Sequence, residues 1–262
     1  MTDNVPIMPD TPPLLEIRGL TKRFNGVIAV NQVDLQIKPG ELISLIGPNG
    51  SGKTTLFNCV TGFLKPEGGH VYFKGTPITG ERPDKIVLRG ISRTFQNVRI
   101  FPGLTVLENM LVSLQQHQEE NLVGRFLHIG SIRQLEAEAT ERAMHLLEQV
   151  RLAHLANEEG HSLVYGQRKL LEFACALIAE PELVMLDEPA AGVSTAMVDQ
   201  MKRFILDSNA KGQTFFVVEH NMGVVMDISQ RIVVLDYGVK IAEGAPSAIQ
   251  NDPRVLEAYF GR

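Results

Sequence analysis

Long apolar runs are missing from this sequence. The longest unbroken one, Phe173–Ala179, has seven residues. A helix that spans a bilayer needs about 18 or more, so no segment is predicted to cross one. Cysteine is scarce: Cys59 and Cys175 stand far apart, with no CxxC. They read as two small buried hydrophobes in a reducing compartment rather than as a disulfide or a metal knuckle. A basic excess is lacking as well. Lys and Arg number 25 against 30 Asp and Glu, which gives a net charge of −5. A general nucleic-acid binder needs a basic face to displace phosphate counterions, and adhesion to an anionic lipid surface needs one too. Both classes are disfavoured. The first residues, Met1–Pro13, hold four prolines and neither a basic start nor an apolar stretch. They read as a loose leader and not as a secretory signal.

What is present is a globular composition, 44% hydrophobic and 21% charged, over 262 residues. That is room for one large domain with an extra part. From Leu14 onward, apolar residues alternate at Leu15, Ile17 and Leu20 and at Val33, Leu35 and Ile37, as in half-buried strands. Leu42–Ile46 is a short buried strand that stops at Gly47, and a helix follows over about Lys53–Thr61. Gly68-Gly69 reads as a turn before a strand at Val71–Phe73. In the last third, helical stripes at Leu170–Ile178 and Met197–Ile205 alternate with strands at Leu183–Leu186, Thr214–Val218, Ile232–Leu235 and Val239–Ala242. Strands alternating with helices predict an α/β domain with a mainly parallel sheet. The middle differs. Between Leu114 and His161 eight acidic residues face four basic ones, and Leu135, Ala139, Ala143, Leu146, Leu147 and Val150 follow helical spacing. This predicts a helical insertion with a solvated acidic face.

The strongest motif is Gly47-Pro48-Asn49-Gly50-Ser51-Gly52-Lys53-Thr54-Thr55, which fits G-x-x-x-x-G-K-[ST] between a strand and a helix. Chance gives such a match on the order of once in 80,000 starting positions, so a Gly-rich turn with a stray lysine is a poor rival. Glycines let the loop wrap so that backbone N–H groups face phosphate oxygens, and the following helix adds its positive dipole end. Lys53 can reach the β- and γ-phosphates, and the Thr54 hydroxyl can hold Mg²⁺. The second motif is Leu183-Val184-Met185-Leu186-Asp187-Glu188, a buried strand with carboxylates at its C-terminal end. Ligands of α/β sheets bind at that end. Asp187 is the candidate metal ligand, and Glu188 the candidate general base for an attacking water. Alone this pair is weak, because many strands end in acid; beside a phosphate loop it is not.

Three further stretches narrow the reading. Phe95-Gln96 lies between the phosphate loop and the helical insertion, Leu163-Val164-Tyr165-Gly166-Gln167 precedes a helix, and Glu219-His220 ends the strand after the acidic one. With these in order, residues 14–262 resemble the ATP-binding subunits of ABC transporters. The resemblance implies a P-loop NTPase with a RecA-like α/β core of mainly parallel sheet, an N-terminal antiparallel β region and a helical subdomain. It divides the chain into a leader at 1–13, an ATP-binding core at 14–95 and 165–262, and an inserted helical subdomain at 96–164. It implies ATP and Mg²⁺ as ligands. Gln96 would be the Q-loop glutamine, reaching Mg²⁺ or the attacking water, and His220 the switch histidine near the γ-phosphate. Tyr165, Gly166 and Gln167 would belong to the signature motif that caps a facing subunit's nucleotide, Phe24 would stack on adenine, and residues 190–195 would hold the D-loop. A helical part around Gln96–Glu108 would pass movement to a membrane subunit. The other six histidines (70, 117, 128, 145, 154 and 161) show no metal-ligand spacing.

Two positions depart from the family pattern. The signature serine is Val164 here, and the D-loop reads Ala191-Gly192-Val193-Ser194. A weaker closed dimer is expected, not a dead site. The stretches Phe57–Phe63, Arg93–Phe101, Asp187–Gly192 and Asn251–Gly261 are similar to the larger ATPase subunit of high-affinity branched-chain amino-acid importers. Urea or short-chain amide importers share much of this pattern. The implied partners are a second ATP-binding subunit, transmembrane permease subunits and, indirectly, a substrate-binding protein, with the chain at the cytoplasmic face of the inner membrane. A soluble ABC ATPase working on nucleic acid or ribosomes fits less well, since heptads, a second phosphate loop and a Cys cluster are all lacking. A P-loop kinase or GTPase would leave Gln96, Tyr165-Gly166-Gln167 and His220 unexplained.

Overall fold

A computed structural model describes residues 12–96, 98–115 and 129–260. Most of the expected leader, Asn97, His117, His128 and the chain end at Gly261 lie outside the described residues. The chain divides into two compact units. The first comprises the described residues of Met1–Arg93, Glu182–Glu188 and Ile205–Arg262; the second is formed by Thr94–Pro181 and Pro189–Phe204.

The first unit holds two sheets among its described residues. One is antiparallel, ordered β2-β1-β4-β5 from β1 (Leu15–Phe24), β2 (Val27–Ile37), β4 (Gly68–Phe73) and β5 (Thr76–Pro77). The other is ordered β10-β9-β3-β8-β7-β6, from β3 (Leu42–Ile46), β6 (Ile91–Arg93), β7 (Leu183–Asp187), β8 (Thr214–Val218), β9 (Arg231–Asp236) and β10 (Val239–Gly244). It is parallel except for the β9–β10 hairpin. Every residue of β3, β7 and β8 is buried, as expected of parallel strands covered on both faces. The period of two sorts their side chains. Ile43, Leu45, Val233 and Leu235 join one core with α1 (Lys53–Val60), α2 (Pro83–Leu88) and the antiparallel sheet. Ile46, Ile232 and Val234 join another, with α7 (Met222–Ile228), α8 (Pro246–Gln250) and α9 (Pro253–Phe260).

The Gly68-Gly69 pair differs from the free turn expected of it. Both residues belong to β4, which crosses β1 where the pairing slips between Arg18 and Thr21. A Cβ on Gly69 would stand 2.4 Å from the backbone of Gly19, and Gly69 has φ +80°. The glycine is there for backbone approach and left-handed geometry.

The second unit is helical: α3 (Val106–Gln115), α4 (Ile129–Gln149), α5 (Tyr165–Leu177) and the first part of α6 (Thr195–Ala210). Its boundaries differ from those expected at 95/96 and 164/165. Residues 165–181 cluster with the helices because α5 packs on both α3 and α4. The helix expected around Gln96–Glu108 starts only at Val106. Its start is a capping box: the Thr105 hydroxyl accepts from Glu108 N at 3.1 Å, and Glu108 accepts from Thr105 N at 2.7 Å. On α4 the apolar stripe is only half used. Ala143 and Leu147 are buried, as is Val150 just past its end, whereas Leu135 is 59% exposed.

Candidate functional site

The C-terminal ends of β3, β7 and β8 are adjacent in one sheet, and the predicted motifs emerge there. That is where an α/β sheet places its ligand. The loop after β3 is shaped by its backbone. A Cβ on Gly47 would lie 2.0 Å from Leu235 O, and one on Gly52 2.2 Å from Ala29 O. Gly52 is the N-cap of α1 with φ +101°, and Lys53 and Thr54 open the helix. The Lys53 ammonium donates to Gly47 O at 2.7 Å and Pro48 O at 2.9 Å, and lies 3.4 Å from Ser51 Oγ. Burial pulls its pKa below the ordinary lysine value, while the Glu188 and Asp187 carboxylates oppose that. Pro48, Asn49, Gly50 and Thr55 complete the loop and its first turn, and Thr54 is exposed.

At the end of β7, Asp187 is buried and Glu188 turns into a left-handed conformation, φ +49°. Such a conformation in a residue other than glycine costs of order 1–3 kcal/mol and clusters at functional sites. Glu188 N donates to Val218 O at 2.9 Å, which pins the turn to β8. Two residues past the end of β8, His220 Nδ1 lies 3.8 Å from Glu188 Oε2, and the His220 side chain is 57% exposed. Glu219, fully buried, accepts from His220 N at 2.9 Å and Asn221 N at 3.0 Å and so shapes the loop that presents the histidine. Phe24 ends β1 on the same unit, 44% exposed, with the Lys22 ammonium 5.2 Å from its ring centre. The structure thus gathers Phe24, the phosphate loop, Asp187, Glu188 and His220 on one unit.

Gln96 and Tyr165–Gln167 fall on the second unit. The loop around Gln96 is gripped by α5. Lys169 Nζ donates to Gln96 O at 3.0 Å, and Glu172 accepts from Phe95 N and Arg99 N, both at 3.3 Å. The Arg99 guanidinium stacks 3.8 Å from the centre of the Phe95 ring. Further on, the buried Asn109 accepts from Phe101 N at 2.7 Å and reaches the carbonyls of Phe101, Leu104 and Thr105. At the start of α5, Gln167 accepts from Val164 N at 3.0 Å. The reciprocal bond is missing because Val164 has no polar atom, so the departure from serine halves a capping box. The D-loop departure lies beside the signature stretch: a Cβ on Gly192 would sit 3.2 Å from the ring of Tyr165, the residue after Val164.

Sequence reasoning gave no role to Arg93, Asn109, Lys169, Glu172 or Glu219. For Glu219 its place beside His220 was a signal. Arg93, Lys169 and Glu172 are bound by partners remote in the chain and carry no local signal, and Asn109 bonds to peptide groups four to eight residues before it, on a helix where it reads as one more polar residue.

The loop fits a polyphosphate: Gly47 and Gly52 let the backbone pack where a Cβ would clash, and the loop ends at the N-terminus of α1 with the Lys53 ammonium against it. The oxygen-only pair of the Thr54 hydroxyl and the Asp187 carboxylate suits a hard cation such as Mg²⁺. Comparison with known proteins agrees. The family described as ABC transporter matches residues 30–191, and one described as branched-chain amino acid ATP-binding cassette transporter matches residues 239–262. The chain is 43% identical to the high-affinity branched-chain amino acid transport ATP-binding protein BraF of Pseudomonas aeruginosa, over 95% of this chain and 98% of that one. Among solved structures, the ADP conformation of an ABC transporter's ATP-binding cassette has a TM-score of 0.82 at 34% identity, covering 96% of this chain and 100% of its own. A dimeric post-hydrolysis cassette bound to ADP and Pi has a TM-score of 0.75 at 27% identity, covering 88% and 98%.

Proposed function

The chain belongs to the ABC transporter family, and we propose that it is the ATP-binding and ATP-hydrolysing subunit of an importer of branched-chain amino acids. The observation that carries the substrate class is the match of its last strand and C-terminal helices, residues 239–262, to the branched-chain family. The phosphate loop, shared by every ATPase of this kind, cannot distinguish cargo.

The proposed chemistry follows from the site. The N–H groups along Asn49–Thr55 and the Lys53 ammonium hold the phosphates, and Phe24 offers its exposed face to the base. Thr54 and Asp187 are the residues that would hold Mg²⁺, which supplies positive charge against the developing phosphate charge. Glu188 takes the proton of the attacking water, a new P–O bond forms at the γ-phosphorus, and the bond to the ADP oxygen breaks. His220, beside Glu188, orients the water or the γ-phosphate. Residues 165–167 cap the nucleotide of a facing subunit, so a closed dimer forms around ATP and opens after hydrolysis. Gln96, in a loop held by α5, is assigned to coupling with the permease.

No described helix is long and apolar enough to cross a membrane. The proposed place, which follows from the transporter family and not from that absence, is the cytoplasmic membrane face, held there through permease subunits. Reconstitution with candidate permease and binding-protein subunits, followed by leucine uptake into proteoliposomes with ATP inside, tests the proposal. Uptake of leucine, isoleucine and valine is expected. Transport of urea or short amides instead would overturn the substrate class, and ribosome co-purification without permeases would overturn the transporter role.

A further inference from the structure

Arg93, the last residue of β6, reaches sideways to the metal-binding end of β7. Its Nη2 donates to Asp187 Oδ2 at 2.8 Å. Its Nη1 donates to Asn58 Oδ1 at 2.7 Å and to Thr61 Oγ1 at 2.8 Å. The two side chains of the ion pair are 6% and 5% exposed. The rings of Phe57 and Phe63 stand 5.6 and 5.7 Å from the guanidinium carbon. Asn58 lies on α1 and Thr61 at its C-cap, and the Thr61 hydroxyl proton is already committed to Phe57 O at 2.7 Å. Its lone pairs therefore face Arg93.

We propose that Arg93 is a positioning residue: its guanidinium fixes one oxygen of Asp187 and so sets how that carboxylate is presented to the divalent cation. This rests on the assignment of Asp187 to the metal. A buried ion pair is a weak source of net stability, and a well-packed apolar residue serves packing as well. A cation beside a metal ligand also opposes the metal. The arrangement makes sense if orientation is what it provides. Asp187 has a second cation within electrostatic reach, Lys53. A carboxylate free to swing would close on Lys53 and occupy both the phosphate-binding ammonium and the metal ligand. Arg93 tethers it, through Asn58 and Thr61, to the helix whose first turn carries Lys53 and Thr54. Only a planar fork reaches three acceptors on two elements at once; a lysine keeps the charge and loses the geometry.

The test is Mn²⁺ affinity of the full-length chain with ADP, read by electron paramagnetic resonance, beside ADP affinity in chelator. Removing a group that orients a metal ligand typically weakens metal affinity about 10–100-fold. Arg93→Met and Arg93→Lys are both expected to show that loss, with metal-free ADP binding unchanged. Asn58→Ala and Thr61→Val, which keep the ion pair, are expected to show a smaller loss of the same kind, and they serve if the Arg93 variants do not fold. Wild-type Mn²⁺ affinity in Arg93→Lys, or equal losses with and without metal, would overturn the proposal. Asp187→Asn separates the premise. If it too binds Mn²⁺ normally, the metal assignment fails; if it alone loses Mn²⁺, only the role of Arg93 fails.

Discussion

The two units hold their functional loops by different means. In the first, the phosphate loop is fixed by backbone. It springs from a fully buried strand, and Gly47 and Gly52 sit where any Cβ would strike a carbonyl. In the second, the described residues between Thr94 and Leu104 lie in no helix or strand and are held by side chains: Lys169, Glu172 and Asn109 each bond to their peptide groups. A backbone-held loop is rigid and leaves a local sequence signature. A side-chain-held loop can be released by changing one group, which suits an element meant to transmit movement.

Substitutions can break this contrast, and the largest effect belongs to the chemistry itself. Glu188→Gln should slow turnover of the assembled transporter about 10²–10⁴-fold if Glu188 is the base, and trap an ATP-bound dimer on gel filtration. Normal turnover would remove Glu188 from that role. Next comes Gly47→Ala. The new methyl would meet Leu235 O at 2.0 Å on a backbone at φ +153°. Strain of order 1–3 kcal/mol should weaken ATP binding about tenfold or more in a nucleotide titration. Unchanged binding would show that the loop yields, against the backbone-held reading. In the second unit the matching change is Asn109→Ala. It leaves the Phe101 N–H and neighbouring carbonyls without their buried partner. A loss of about 1–3 kcal/mol in urea unfolding is expected, with ADP affinity unchanged. A fall in ADP affinity of the same size would mean the two loops are not held independently.

Legibility in the sequence follows the same line. The phosphate loop, the acidic strand end and the buried strands of the parallel sheet are written in contiguous residues, so pattern and period reveal them. Arg93 is not, because its partners lie 35 and 94 positions away. Lys169 reaches back 73 positions to Gln96 and, read locally, is one more charge on an amphipathic helix. A helical part was expected from about Gln96, but the capping box of Thr105 and Glu108, which that expectation passed over, decides where α3 begins. Leu135 fits the helical period of α4 but is left exposed, with nothing among the described residues to bury it. Periodicity states which face could be buried and not how far along the helix a partner extends.

A smaller effect is expected at the signature motif. Val164 is 64% exposed and precedes α5 with only half of a capping box. Val164→Ser restores an acceptor for the helix N-terminus and a hydroxyl donor toward a facing subunit's phosphate. N-capping is worth about 0.5–2 kcal/mol. A rise in thermal stability and an increase in transporter ATPase of up to about tenfold should follow. If hydrolysis stays unchanged, the hydroxyl is irrelevant in this chain.

The smallest effect probes the side-chain grip directly. Burial raises the pKa of Glu172 above the usual carboxylate value, while the amides of Phe95 and Arg99 and the charges of Lys169 and Arg99 pull it back. With the folded value above the unfolded one, the folded chain binds this proton more tightly. The stability the group contributes is therefore complete below the unfolded pKa and is lost as pH rises through the folded pKa. Glutamine keeps an acceptor for the two amides and does not titrate. The Tm advantage of the wild type over Glu172→Gln should accordingly be largest in acid and shrink as pH rises to neutral. A gap that widens with pH would mean that the ionised carboxylate, paired with Lys169, is what holds the loop. The second unit's loop would then be clamped by charge, and salt should release it where it leaves the phosphate loop unmoved.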